Sequence, residues 1–147
     1  MALLNYTTKI QAEKTASEIQ RILANHGARA VMIEYDIGGQ IEALSFKAQT
    51  PNGDVGIKLP IDIKATMRVM ERQVTLRKIP RSFANEGQAR RVAWRIIKDW
   101  VEAQMAILET EMVKLEQIFL PYVVSDDGRT VYERLLDSKF QLPEGQG

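Results

Sequence analysis

The residues of this chain best placed to do chemistry are cations. Arg72, Arg77, Lys78, Arg81, Arg90, Arg91, Arg95 and Lys98 fall in one stretch, opposed up to residue 99 only by Glu86 and Asp99. Eight positive charges against two leave +6 there; with a net +1 for the whole chain, the remainder carries −5. Guanidinium and ammonium groups at this density suit phosphate. Contacts of that kind give a nucleic acid affinity that falls steeply with salt, and little sequence choice. The spacing of Arg91, Arg95 and Lys98 puts them on one face of a helix, with Arg77, Lys78 and Arg81 in a loop before it. Phe83 and Trp94 lie beside them and are of the type that stacks on unpaired bases. The candidate nucleic-acid-binding set is therefore Arg77, Lys78, Arg81, Phe83, Arg90, Arg91, Trp94, Arg95 and Lys98. The competing use for these charges is pairing with Glu102, Glu109, Glu111 and Glu116, on the same helix or on a partner's in an antiparallel pair.

Catalytic chemistry finds few candidates. The one histidine, His26, ends the first helix, where a ring donor satisfies terminal carbonyls. No Gly-x-Ser-x-Gly elbow is present. Neither a phosphate-binding Gly-x-x-x-x-Gly-Lys-Ser/Thr loop nor a three-glycine dinucleotide fingerprint occurs, and Gly38-Gly39 and Gly53 read as turns. Glu34, Asp36 and Glu42 with Lys47 are the one strand-borne set that resembles a metal-dependent nuclease site. Strand alternation separates Glu34 from Tyr35, and Asp36 falls at a turn, so solvated acids are the better account. Asp126-Asp127-Gly128 lacks the further acids of a calcium loop. With no cysteine there is no disulfide, thiolate metal site or cysteine nucleophile. The expectation is a protein that binds rather than catalyses, with no cofactor and no metal.

The elements that must position these groups form a small α+β fold, and 147 residues suit one domain. Thr8 and Gln11 have capping-box spacing, and Ile10, Ala16, Ile19, Ile22 and Leu23 then recur at helical intervals up to Asn25-His26-Gly27. Alternation predicts strands over 28–36, 40–50 and 55–59, joined at Ile37-Gly38-Gly39-Gln40 and Pro51-Asn52-Gly53-Asp54. Together they make a three-stranded antiparallel meander with one face to be covered. Asp62 caps a short helix ending near Gln73, and 74–84, with Pro80, reads as a loop. Asn85 then caps a long helix over about 86–120, stopped by Pro121. At roughly 50 Å it exceeds the width of such a domain. Its seam of Ile97, Val101, Met105, Leu108, Met112, Leu115 and Phe119 has coiled-coil-like spacing and predicts an oligomer interface. Ala93, Ile96, Trp100, Ala103 and Ile107 form a second stripe for the sheet; burial of both stripes within one subunit is the alternative. The domain is expected over 1–121, and 122–147 as an extension with a short amphipathic stretch (Val131, Leu135, Leu136, Phe140) and a frayed end from Leu142.

No run approaches ~18 apolar residues, and the start lacks a signal peptide's pattern, so the expected setting is the cytoplasm with no membrane partner. The order helix, three-strand meander, helix resembles the double-stranded-RNA-binding domain, but the Gly-Pro-x-His loop of that family is missing. The segments ARAVMIEYD and RVAWRIIKDWVEAQMAILETEMVKLEQIFLPY are similar to small proteins encoded by bacterial phages and prophages. That resemblance implies a setting of phage DNA metabolism or interference with a host process, and brings no catalytic residue or ligand. The leading expectation is thus a non-catalytic, oligomeric, nucleic-acid-binding protein. The alternative is a protein-interaction module, such as an inhibitor of a host defence enzyme, or a trap for an anionic nucleotide signal between subunits.

Overall fold

The computed structural model describes residues 1–140; the frayed end expected from Leu142 lies outside them. Five α-helices and a four-stranded antiparallel sheet are present among the described residues. Helix α1 (Ala12–Asn25) buries Ala12, Thr15, Ala16, Ile19 and Leu23, the i, i+3, i+4 pattern of one helical face. It starts later than the Thr8 spacing suggests: Gln11 takes the cap position, and the Thr8 hydroxyl accepts from the Ile10 amide instead. Strands β1 (Ala28–Tyr35), β2 (Ile41–Thr50) and β3 (Gly53–Lys58) form the meander, with Gly39 (φ 83°) and Gly53 (φ 113°) taking the left-handed conformations its two turns require. Val31, Ile33, Leu44, Phe46, Ile57 and Val55 belong to the main core with α1 and the third helix.

Helix α2 (Ile63–Thr75) is capped by Asp62, whose carboxylate accepts from the Ala65 amide at 2.9 Å. A single 3-10 turn at Arg81–Phe83 leads to α3 (Glu86–Glu109), capped by Asn85 on the Gln88 amide at 2.8 Å. Helix α3 is the centre of the fold. Trp94, Val101 and Met105 face the sheet side, whereas Ala89 and Val92 join Met70 and Ile79 in a second core under α2.

The long helix differs from expectation. It stops after 24 residues, about 36 Å. The Thr110 hydroxyl accepts from the Met112 amide, Glu111 turns left-handed (φ 62°), and the chain re-enters as α4 (Leu115–Phe119). The break is explained by what it buries. Phe119, fully enclosed, meets Phe46 and Trp100 edge to face at 5.4 and 5.7 Å, and Tyr122 meets Trp100 at 5.6 Å. A straight helix would carry Phe119 away from the sheet; burying such a side chain is worth roughly 1.5–3 kcal/mol, enough to outweigh a few residues of helix. The segment after Pro121 supplies a fourth strand, β4 (Val123–Val124), on β3 through Gly56 and Ile57, and then α5 (Val131–Asp137).

The seam expected to meet a partner is spent inside the subunit. Val101, Met105 and Phe119 are buried, and Ile97, Leu108 and Leu115 pack on the same core. Only Met112, 72% exposed on the turn after α3, stays outside. The seam is thus covered within the subunit, and so is the first part of the second stripe (Ala93, Ile96 and Trp100), whereas Ala103 and Ile107 stay exposed.

Candidate nucleic-acid interface

The basic stretch divides into two regions with different chemistry. The first is the start of α3. Arg90 is buried, its Nη2 lying 3.4 Å from Asp36 and 3.3 Å from Glu86. Arg91 donates through Nε and Nη2 to the Gln88 side-chain oxygen, at 3.0 and 2.7 Å. Gln88 in turn donates to the carbonyls of Tyr6 and Thr8, so Arg91 fixes the amide that ties the N-terminal arm to α3. Arg95 pairs with Glu18 of α1, and Lys98 with Glu102 at 2.8 Å. Trp94 is fully enclosed in the core, and its indole cannot stack on a base. The spacing of these residues is helical as expected; what they meet is mostly protein.

The second region is α2 and the loop that follows. Arg77, Lys78 and Arg81 are exposed and sit in no ion pair among the described residues. The Arg77 backbone is left-handed (φ 58°), and its amide and that of Lys78 donate to the Val74 and Gln73 carbonyls, which holds both residues at the C-terminal end of α2. There the exposed Arg72 joins them. One turn back is Arg68, and one further Lys64, all exposed at i, i+4 spacing along the face opposite Met67, Met70 and Val74. Cations at the end of α2 also meet the negative pole of the helix, which favours their placement there.

Lys64 lies at the limit of this surface, since it borders a cleft of about 350 Å³ that also holds Asp36, Glu42, Asp62, Glu86 and Arg90. Among the described residues Arg68, Arg72, Arg77, Lys78 and Arg81 are left as five cations outside any ion pair, with Glu71 the one acid on the same helical stretch. Phe83 is half-buried against Tyr6, edge to face at 5.3 Å, and anchors the loop that carries Arg81. Sequence reasoning missed Arg68 and Lys64, although their four-residue steps from Arg72 were there to be read.

Among the strand acids Glu34 and Glu42 are exposed, whereas Asp36 is half-buried, accepting from the Gln40 amide at 2.9 Å in the turn and facing Arg90. No group of three or more potential metal-ligating side chains occurs among the described residues. His26 does more than close α1. Its Nδ1 lies 2.7 Å from the Ile22 carbonyl oxygen and its Nε2 2.8 Å from the Glu109 carboxylate, two acceptors that the ring satisfies together when it is protonated. The Glu109 carboxylate first, and the Ile22 carbonyl second, raise its pKa above the ordinary 6.5.

Between α1 and α3 lies an open cleft of about 430 Å³ lined by Lys14, Ser17, Glu18, Arg21, Arg95 and Lys98. Its cations outnumber its acid, but Arg95 and Lys98 are already paired. No helix of the described residues is long and apolar enough to cross a membrane. No protein-family model matches the chain, and no curated protein or solved structure matches it.

Proposed function

We propose that the chain binds the phosphodiester backbone of nucleic acid through the exposed face of α2 and the loop after it, without catalysing a reaction. One observation carries this reading: Arg68, Arg72, Arg77, Lys78 and Arg81 form a continuous run of solvent-facing cations that the rest of the described chain leaves unpaired. A cation already held by a carboxylate must give up that partner to take a phosphate, and a free one need not. Five such contacts on a duplex would give a slope of log K against log salt of about −4.5, and about −3.5 on a single strand. Between about 50 and 200 mM salt the duplex affinity would then fall about 500-fold. Backbone contacts of this kind hold a strand without choosing its sequence.

The test is titration of a fluorescent 20-mer, single- and double-stranded, with the native chain and with the Arg68→Glu, Arg72→Glu, Lys78→Glu variant. All three positions are exposed, so the variant should keep its circular-dichroism spectrum while affinity at low salt drops at least about 100-fold. Unchanged binding by a folded variant would sink the assignment.

A further inference from the structure

We infer that two copies of this chain associate through the free edge of β1, in an antiparallel pair centred on Met32. The sheet order is β1-β2-β3-β4, and among the described residues no strand lies beyond β1. Eight residues long and without proline, it is guarded as an edge only by the charges of Arg29 and Glu34 and by irregularities at Ala28/Ala30 and Glu34/Tyr35. The regular segment between them, Ala30 to Glu34, has Met32 at its midpoint.

The backbone has the polarity such a pair needs. The Leu59 amide donates to the Leu44 carbonyl, so Leu44 turns its polar groups toward β3. By alternation Ser45 turns its groups toward β1, and its cross-strand partner Met32 answers it. Val31 and Ile33 therefore direct their N–H and C=O groups out of the edge. With Met32 opposite Met32 of a second copy, Val31 faces Ile33 of that copy on both sides of the two-fold axis, in hydrogen-bonded pairs. Four unpaired donors and acceptors per copy are thereby satisfied.

The side chains agree with this register. On the solvent face Met32, 56% exposed, meets its own copy, in the closer, non-hydrogen-bonded type of pair. Ala30 falls opposite Glu34 of the second copy. Arg29, exposed at the bulge beside Ala30, donates on the same face to Gln49 of β2 at 3.1 Å, and a swing of its side chain from Gln49 toward the free edge brings it to that Glu34. The two-fold axis makes this Arg29–Glu34 complement twice. A shift of the register that sets Met32 opposite Glu34 of the second copy separates the charges. The occupant that fits is thus a second copy of this chain, and this rests on β1 alone, independently of nucleic-acid binding.

Sedimentation velocity over protein concentrations from about 1 μM to 1 mM, at low salt, tests it. The native chain should show a concentration-dependent monomer–dimer equilibrium. Arg29→Glu alone and Glu34→Arg alone each place like charges together twice and should weaken the dimer about tenfold. The double exchange, Arg29→Glu with Glu34→Arg, should return it to within about threefold of the native value. Ile33→Pro removes an outward amide that β2 does not use, and should leave a folded monomer. A chain that stays monomeric to 1 mM, or a double exchange as weak as either single change, would overturn the proposal. Association unaffected by all four variants would place the contact elsewhere and equally overturn it.

Discussion

Two basic regions lie within thirty-odd residues of each other in the sequence, and the protein treats them in opposite ways. Along α3, Arg90, Arg91, Arg95 and Lys98 each have a partner: Asp36 and Glu86, Gln88, Glu18 and Glu102. Two of those four, Arg90 and Arg95, tie α3 to another element, and Arg91 braces the Gln88 amide that holds the N-terminal arm. Along α2 and its loop, Arg68, Arg72, Arg77, Lys78 and Arg81 reach solvent with no ion-pair partner within the described chain. The difference comes from position. Helix α3 runs through the centre of the fold, so a long cation on it crosses the seam to α1 or to the β1–β2 turn and finds an acid. Helix α2 covers only one side of α3, and its outer face meets no other element among the described residues. A guanidinium held in place organises the fold; a free one is available to a ligand.

The sharpest structural break of this comparison is at the α3 side. Trp94→Ala, which deletes a wholly buried side chain among Ile19, Leu44 and Val101, should lower stability by about 3–5 kcal/mol in chemical denaturation. Its effect on nucleic-acid binding by the folded fraction should be nil, since the indole is not available to bases. Arg90→Gln should be milder, about 1–3 kcal/mol, because it strips a buried partner from Asp36 and Glu86. Urea titration with and without a DNA oligomer separates the two kinds of loss. If Arg90→Gln left stability intact but flattened the salt dependence of binding, the division between the regions would be wrong.

The smallest effect concerns pH. The pKa of His26 is raised by Glu109 and the Ile22 carbonyl, so the protonated ring stabilises the native state. That stabilisation is fully present below the unfolded value near 6.5 and is lost as pH rises through the higher folded value. Glu109→Gln should therefore destabilise the protein near pH 5.5, with the difference from the native chain shrinking toward pH 8.5. A constant difference across that range in thermal melts would mean that the charge of the ring is not involved.

Much of this architecture was legible in the residues, and the failures have physical causes. The Gly38-Gly39 and Asn52-Gly53 turns fixed the three-strand meander because few other residues adopt their backbone conformations. Asp62 and Asn85 marked two helix starts through a side-chain oxygen that each uses as expected. The end of α3 left no such mark. Neither glycine nor proline occurs between Gln88 and Leu120, and Glu111 takes a left-handed backbone because the aromatic cluster of Phe46, Trp100 and Phe119 favours the turn. At two residues, β4 is too short for alternation to show. At the candidate interface, spacing alone placed Arg91, Arg95 and Lys98 on one face but held no information about what that face meets. Glu18, 77 residues from Arg95 in the chain, decides it.

The central claim, that the α2 surface and not the α3 face meets phosphate, is tested most directly by comparing salt slopes of duplex binding for two matched double variants. Arg72→Gln with Lys78→Gln removes two free cations and should flatten the slope by about 1.8, two contacts at about 0.9 each. Arg95→Gln with Lys98→Gln removes two paired ones and should leave it at the native value. The opposite result, a slope flattened by the α3 pair and unmoved by the α2 pair, would contradict the account.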